Sequence, residues 1–186
     1  MRSLPEDRHT VYTLGGLGVG IAGLILFLGY FVLSIPVPPV DTLTARLVFT
    51  LRWQILPLLT FMVGIERVAN TRLKTSAIDP LSGKGEHLVE FYRRYAQNTL
   101  EQLCLHIVGQ MTLCTFLNLE SLTLIPTFAV LFFIGRMVFW FGYRSKPLHR
   151  ATGFAMTFPV TMLTILYCIF CLFTSGPNFL LQNNIT

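Results

Sequence analysis

Charge is what this sequence has least of. Of its 186 residues, 12% are Asp, Glu, Lys or Arg, where a soluble domain carries about a quarter. With 53% hydrophobic residues and a mean hydropathy of +0.61, the shortage argues against a water-soluble globule. The apolar content excludes a disordered or collagen-like chain, and four cysteines are too few for a disulfide scaffold. No phosphate loop, nucleophile-elbow serine, zinc-protease histidine pair or nucleic-acid motif is present, so no nucleic-acid partner is expected. Segments of barrel-type alternation are missing too, and in lipid that leaves helices as the means of pairing every backbone group.

What is present is a series of long apolar runs. Val11 to Ile35 holds no ionisable side chain except Tyr, and at about 1.5 Å per residue it can cross a hydrocarbon core of about 30 Å. It is too long for a signal-peptide core and is followed by no small-residue cleavage site, so it reads as a retained anchor. Its glycines, Gly15, Gly16, Gly18, Gly20 and Gly23, suggest close packing against a helix the sequence does not identify. Pro36, Pro38 and Pro39 end the run. Further spans are expected over Leu43–Gly64 (weakened by Arg52 and Gln54), Asn98–Leu119, Leu122–Tyr143 and Ala151–Ser175. The short turns joining the last three make antiparallel hairpins. The chain thus divides into an N-terminal stretch 1–10, an anchor and linker 11–42, a four-helix antiparallel bundle 43–175 and a tail 176–186, five spans in all.

Basic residues set the expected orientation. Arg2 and Arg8 precede the first span; Arg67, Arg72, Lys74, Lys84, Arg93 and Arg94 lie between the second and third; Arg144, Lys146 and Arg150 follow the fourth. These eleven of the fourteen Lys and Arg alternate onto one side, and the other side holds only Arg46. The N-terminus is therefore expected in the cytosol and the C-terminus in the lumen of the secretory pathway. Asn184-Ile185-Thr186 is a glycosylation triplet on the luminal side.

Chemistry concentrates at the start of the third span. Glu90, Arg94, Asn98 and Glu101 fall at about 0°, 40°, 80° and 20° around a helix, one narrow polar stripe running into an apolar segment. Such groups pair with one another, as Glu90 and Arg94 can at i and i+4, or face a bundle interior and hold a ligand. Arg136 lies about two turns before Tyr143 on one face of the fourth span; Arg150 opens the fifth and Arg67 ends the second. Guanidinium groups from several spans thus reach one level. Their forks suit carboxylates, and Asn98 with Glu101 suits an ammonium or amide. The set fits a small zwitterion with excess negative charge. Cys168-x-x-Cys171 has redox spacing but reads as buried packing, as do Cys104 and Cys114. His106 and Gln110 share a face that favours an interhelical hydrogen bond over a metal site, and no metal ligand set is proposed.

These residues resemble the MAPEG superfamily, the membrane-associated proteins in eicosanoid and glutathione metabolism, over about Leu43 to Thr174. Glu90-x3-Arg94-x3-Asn98-x2-Glu101 is similar to the family's glutathione-binding helix. Gly64-Ile-Glu-Arg67 resembles the end of its first helix, and Ile78-Asp-Pro80 the cytosolic turn that follows. Gly135-Arg136 through Tyr143 resembles its third helix, and Arg150-Ala-Thr-Gly-Phe154 the start of its fourth, where an Arg activates the glutathione thiol. The resemblance implies a homotrimer with glutathione bound between subunits by Arg67, Glu90, Arg94, Asn98, Glu101, Arg136 and Tyr143. It implies Arg150 as the catalytic group of a glutathione transferase or peroxidase acting on lipophilic substrates from the bilayer. The stretch from Phe141 to Phe154 and the extra first span resemble the mattrin branch, associated with secretory membranes and epithelial barrier upkeep rather than a settled reaction. That branch favours the alternative, a non-enzymatic trimeric scaffold controlling the traffic of other membrane proteins. Departures from the synthase-like members are Ala151 in place of Ser, Phe154 in place of Tyr and Gln97 in place of Arg.

Overall fold

A computed structural model describes residues 4–33 and 35–177; Arg2 and the triplet at Asn184 lie outside them. Within the described residues six α-helices follow in order: α1 Leu4–Phe27, α2 Leu43–Trp53, α3 Ile55–Lys74, α4 Glu86–Phe116, α5 Leu124–Ser145 and α6 Arg150–Ser175. A π-helical turn, Leu28–Val32, extends α1, and 3-10 turns over Ser76–Ile78, Glu120–Thr123 and Pro147–His149 join later helices. Thr42 opens α2 by accepting a hydrogen bond from the Ala45 amide (3.2 Å). α2 and α3 form one crossing interrupted at Gln54. Pro57 explains the break, because its ring excludes the carbonyl four residues back and supplies no amide hydrogen.

Among the described residues, four helical runs are long and apolar enough to span a membrane: Leu4–Val32, Leu43–Lys74, Glu120–Ser145 and Pro147–Ser175. α4 is long enough but more polar, because Gln102, His106 and Gln110 stand on its buried face. It nonetheless runs from α3 at one end of the bundle to α5 at the other, which completes five crossings. The chain is an integral, multi-pass, all-helical membrane protein of the kind the sequence leads one to expect. Three expected boundaries move: α1 starts at Leu4 rather than Val11, α3 runs past Gly64 to Lys74, and α4 starts at Glu86 rather than Asn98. Apolar runs mark only the lipid-buried part of a helix. Outside it the backbone ladder continues while polar contacts hold the ends.

The ion pairs of α3 and α4 gather at one end, here called the basic end. Arg72 donates to Glu86 (2.8 Å) and to the Ala77 carbonyl (2.8 Å), and Arg93 donates to Glu86 (2.8 Å). This clamp closes the loop between α3 and α4. Gly85 lies inside it at φ +70°, where an added Cβ would collide with the Ser76 side chain. At the opposite end, Arg46 is nearly buried and donates to the carbonyls of Leu117 and Val40. A cation on the end of α4 satisfies an orphan carbonyl and complements the helix dipole.

The basic end of the core is aromatic, built on Tyr95, Phe139 and Trp140. α5 and α6 approach closely where a Cβ on Gly153 would run into the Phe139 amide and the Gly135 carbonyl. The partner of the glycine-rich first helix is α6: a Cβ on Gly18 would strike the Thr152 backbone. Ala22 is buried with Leu131 and Met156, and Gly29 fits against Thr127. Leu17, Leu24, Leu163, Leu166, Phe170 and Phe173 point outward, as a lipid-facing surface requires.

Candidate functional site

The helical register of α4 presents two adjacent faces at the basic end. Val89, Tyr95, Thr99 and Gln102 point into the bundle, while Glu90, Arg94, Asn98 and Glu101 form the polar strip beside them. Arg94 Nε donates to Glu90 (2.9 Å), and both side chains are half exposed. The self-paired arrangement allowed by their spacing is therefore present. Asn98 is partly buried and accepts from Arg136 Nη1 (3.1 Å).

Arg136 is fully buried, and no snorkelling explains it. Its second terminal nitrogen donates to Thr99 Oγ1 (2.8 Å), and its guanidinium carbon lies 4.2 Å from the Phe139 ring centroid and 5.5 Å from that of Tyr95. Its Nε has no partner. Tyr95 is fixed in turn by donating to the Thr60 carbonyl (3.2 Å). Buried charge needs compensating contacts, and here two adjacent residues of α4 accept hydrogen bonds while the rings of Tyr95 and Phe139 lie against the guanidinium. Arg136 is thus the support beneath Asn98.

Above this layer is a cleft of about 540 Å³. Arg94, Asn98 and Arg150 form its polar part, with Ala151, Phe154 and Phe139 beside them. The first helix closes the opposite side with Tyr12, Gly15, Gly16 and Val19. The Arg150 guanidinium rests 5.1 Å from the Tyr143 ring centroid, and that ring packs 5.1 Å from Phe91. Two guanidinium groups from different helices, an amide and an apolar wall meet in one space, within the usual range for a small-molecule site.

Of the eight expected residues, Arg94, Asn98 and Arg150 line the cleft, Arg136 and Tyr143 support it from below, and Glu90 holds Arg94 from outside. Arg67 and Glu101 do not join them. Arg67 pairs with Glu66 (3.3 Å), and both side chains are more than half exposed, although residue 67 follows Thr60 by two turns on the side of α3 that is buried further along the helix. Glu101 accepts from Gln97 (2.9 Å) on the exposed side of α4. The wall from α1 and the acceptor Thr99 were not identified from the sequence. The glycine pair was the available signal for the first; nothing in the sequence couples Thr99 to residue 136. The expected hydrogen bond for His106 and Gln110 is not formed: His106 Nε2 and Gln110 Oε1 are buried without a partner. His106 lies on Phe132 (4.6 Å between centroids), and the hydroxyls of Thr157 and Thr164 are engaged by Gln102 and the Val160 carbonyl. The four cysteines are free; Cys114, Cys168 and Cys171 are buried as packing groups, whereas Cys104, read from the sequence as packing, is exposed.

Fold and cleft define a multi-pass helical membrane protein with a cationic small-molecule cleft at one end of its bundle. The MAPEG family model matches residues 43–170, and the chain belongs to the MAPEG family. It is similar to Transmembrane protein 79 of Mus musculus and of Bos taurus, each 26% identical over 154 residues, in keeping with the mattrin-branch resemblance. The match covers 83% of this chain and 39% of each relative, so the chain spans well under half their length. No solved structure matches it.

Proposed function

We propose that the chain binds glutathione, or a similar anionic thiol peptide, in this cleft, on the cytosolic face of a secretory-pathway membrane. The carrying observation is the convergence of Arg94, Asn98 and Arg150 on one cleft in a MAPEG chain. The guanidinium forks pair with the ligand's carboxylates and Asn98 with its amide groups. Arg150 stabilises the thiolate, drawing the thiol below its ordinary value of about 8.5. A bound thiolate beside a lipophilic electrophile would react by proximity, with the protein orienting and ionising the nucleophile. The reading includes a homotrimer, in which the exposed Arg67 and Glu101 would serve the cleft of a neighbouring subunit.

One observation favours binding without turnover, in a trimeric scaffold that acts on other membrane proteins. Ala151 and Phe154 line the cleft where synthase-like members carry hydroxyls, and a lost donor to developing charge costs about 3 kcal/mol of catalysis. Titration calorimetry of detergent-solubilised protein with glutathione tests the binding. A saturable heat, reduced at least tenfold in affinity by Arg150→Ala, is expected; no heat and no thermal shift at millimolar glutathione overturns the proposal. A conjugation assay on the same pair separates binder from catalyst.

A further inference from the structure

We propose that helix α1, which lies outside the family match, is a wall of the binding cleft, and that Gly16 sets how far the aliphatic part of a bound anion extends between α1 and α6. The inference rests on the cleft-binding reading above and adds the shape and class of the second half of the ligand.

α1 is fixed in place. Gly18 lies so close to Thr152 that a Cβ would overlap its carbonyl, Ala22 is buried against α5 and α6, and Gly29 fits against Thr127. Such contacts at three levels make α1 a packed member of the bundle rather than a tether. Less than one turn before Gly18, the same helix changes character. A Cβ on Gly15 would meet only Ala155, at 4.0 Å, and one on Gly16 would meet no atom within 4 Å. Both residues line the cleft. Helix packing therefore does not demand glycine at residue 16. A glycine inside a helix costs about 1 kcal/mol relative to alanine, and the consequence here is space along the cleft.

The chemistry of the two sides differs. Arg94, Asn98 and Arg150 are on one, and Gly15, Gly16, Val19 and Ala155 on the other. An occupant matching both carries its anionic groups toward α4 and the start of α6 and a short aliphatic arm toward α1.

Glutathione and S-hexylglutathione separate the two halves, since they share both carboxylates and the ammonium and differ in that a six-carbon chain replaces the thiol hydrogen. Titrated into the full chain in detergent, S-hexylglutathione should bind roughly tenfold tighter or more than glutathione. Gly16→Leu should abolish that advantage. Gly20→Leu, on an open face away from the cleft, should keep it. Should Gly16→Leu not fold, as judged by its unfolding temperature, Val19→Phe narrows the same wall and should act likewise. If both ligands bind and Gly16→Leu weakens neither or both equally, the inference fails and the glutathione reading stands. If neither binds the wild-type chain, both fall.

Discussion

Arg136 is the residue on which the site's geometry depends. A guanidinium with no exposure is tolerated because Asn98 and Thr99 accept from its two terminal nitrogens and the Phe139 ring lies beneath it. Lysine keeps the charge but lacks the planar fork, so it does not reproduce two donors on separate nitrogens or the guanidinium face against Phe139. Arg136→Lys should therefore destabilise the folded chain by about 1–3 kcal/mol, read as a lower unfolding temperature in detergent. An unchanged temperature would show that the fork is not needed. Arg94 differs: it is exposed, already paired with Glu90, and free to exchange that partner for a ligand at little cost. The sequence revealed which residues carry charge at this level. It could not distinguish the buried support from the exposed groups, because burial depends on which neighbouring side chains close over a position.

At the scale of elements, the clamp between α3 and α4 determines how the basic end is held. Its residues precede the apolar part of α4. Glu86 is held below the ordinary carboxylate value of 4.5 mainly by the hydrogen bond from Arg72, with the charges of Arg72 and Arg93 adding to it and partial burial opposing. Because the folded-state value is lowered, the stabilisation is complete above about pH 4.5 and disappears as pH falls through the folded value. The unfolding temperature of wild type should thus exceed that of Glu86→Gln at pH 6 and above, and the gap should shrink as the pH falls below 4.5. A gap that stays constant as the pH falls well below 4.5 would assign the effect to something other than the carboxylate. The sequence placed Arg72 and Arg93 on the correct segment but could not pair them with Glu86, because the pairing depends on how the intervening loop folds. The break at Gln54 was better marked, by Arg52, Gln54 and the Pro57 that follows.

At the scale of the whole molecule, five crossings place Leu4 and Ser175 at opposite ends of the bundle. The distribution of Lys and Arg predicts that the end bearing Leu4, the clamp and Arg150 faces the cytosol. A cysteine introduced at Ser82, in the exposed loop of the clamp, should react with an impermeant maleimide in sealed microsomes of cytosol-out orientation. Labelling that requires detergent would reverse the topology. Helix number and approximate span positions could be read from the sequence, because a bilayer about 30 Å thick imposes its length on any chain that crosses it. The charge bias likewise follows from where Lys and Arg stand along the chain. Three things were decided only in three dimensions: that the glycines of α1 pack on α6, that Arg136 is enclosed while Arg67 stays outside, and that α1 completes a cleft with helices distant from it in the chain. Each depends on helix rotation and crossing, which are set by the fit of distant side chains and not by the local order of residues.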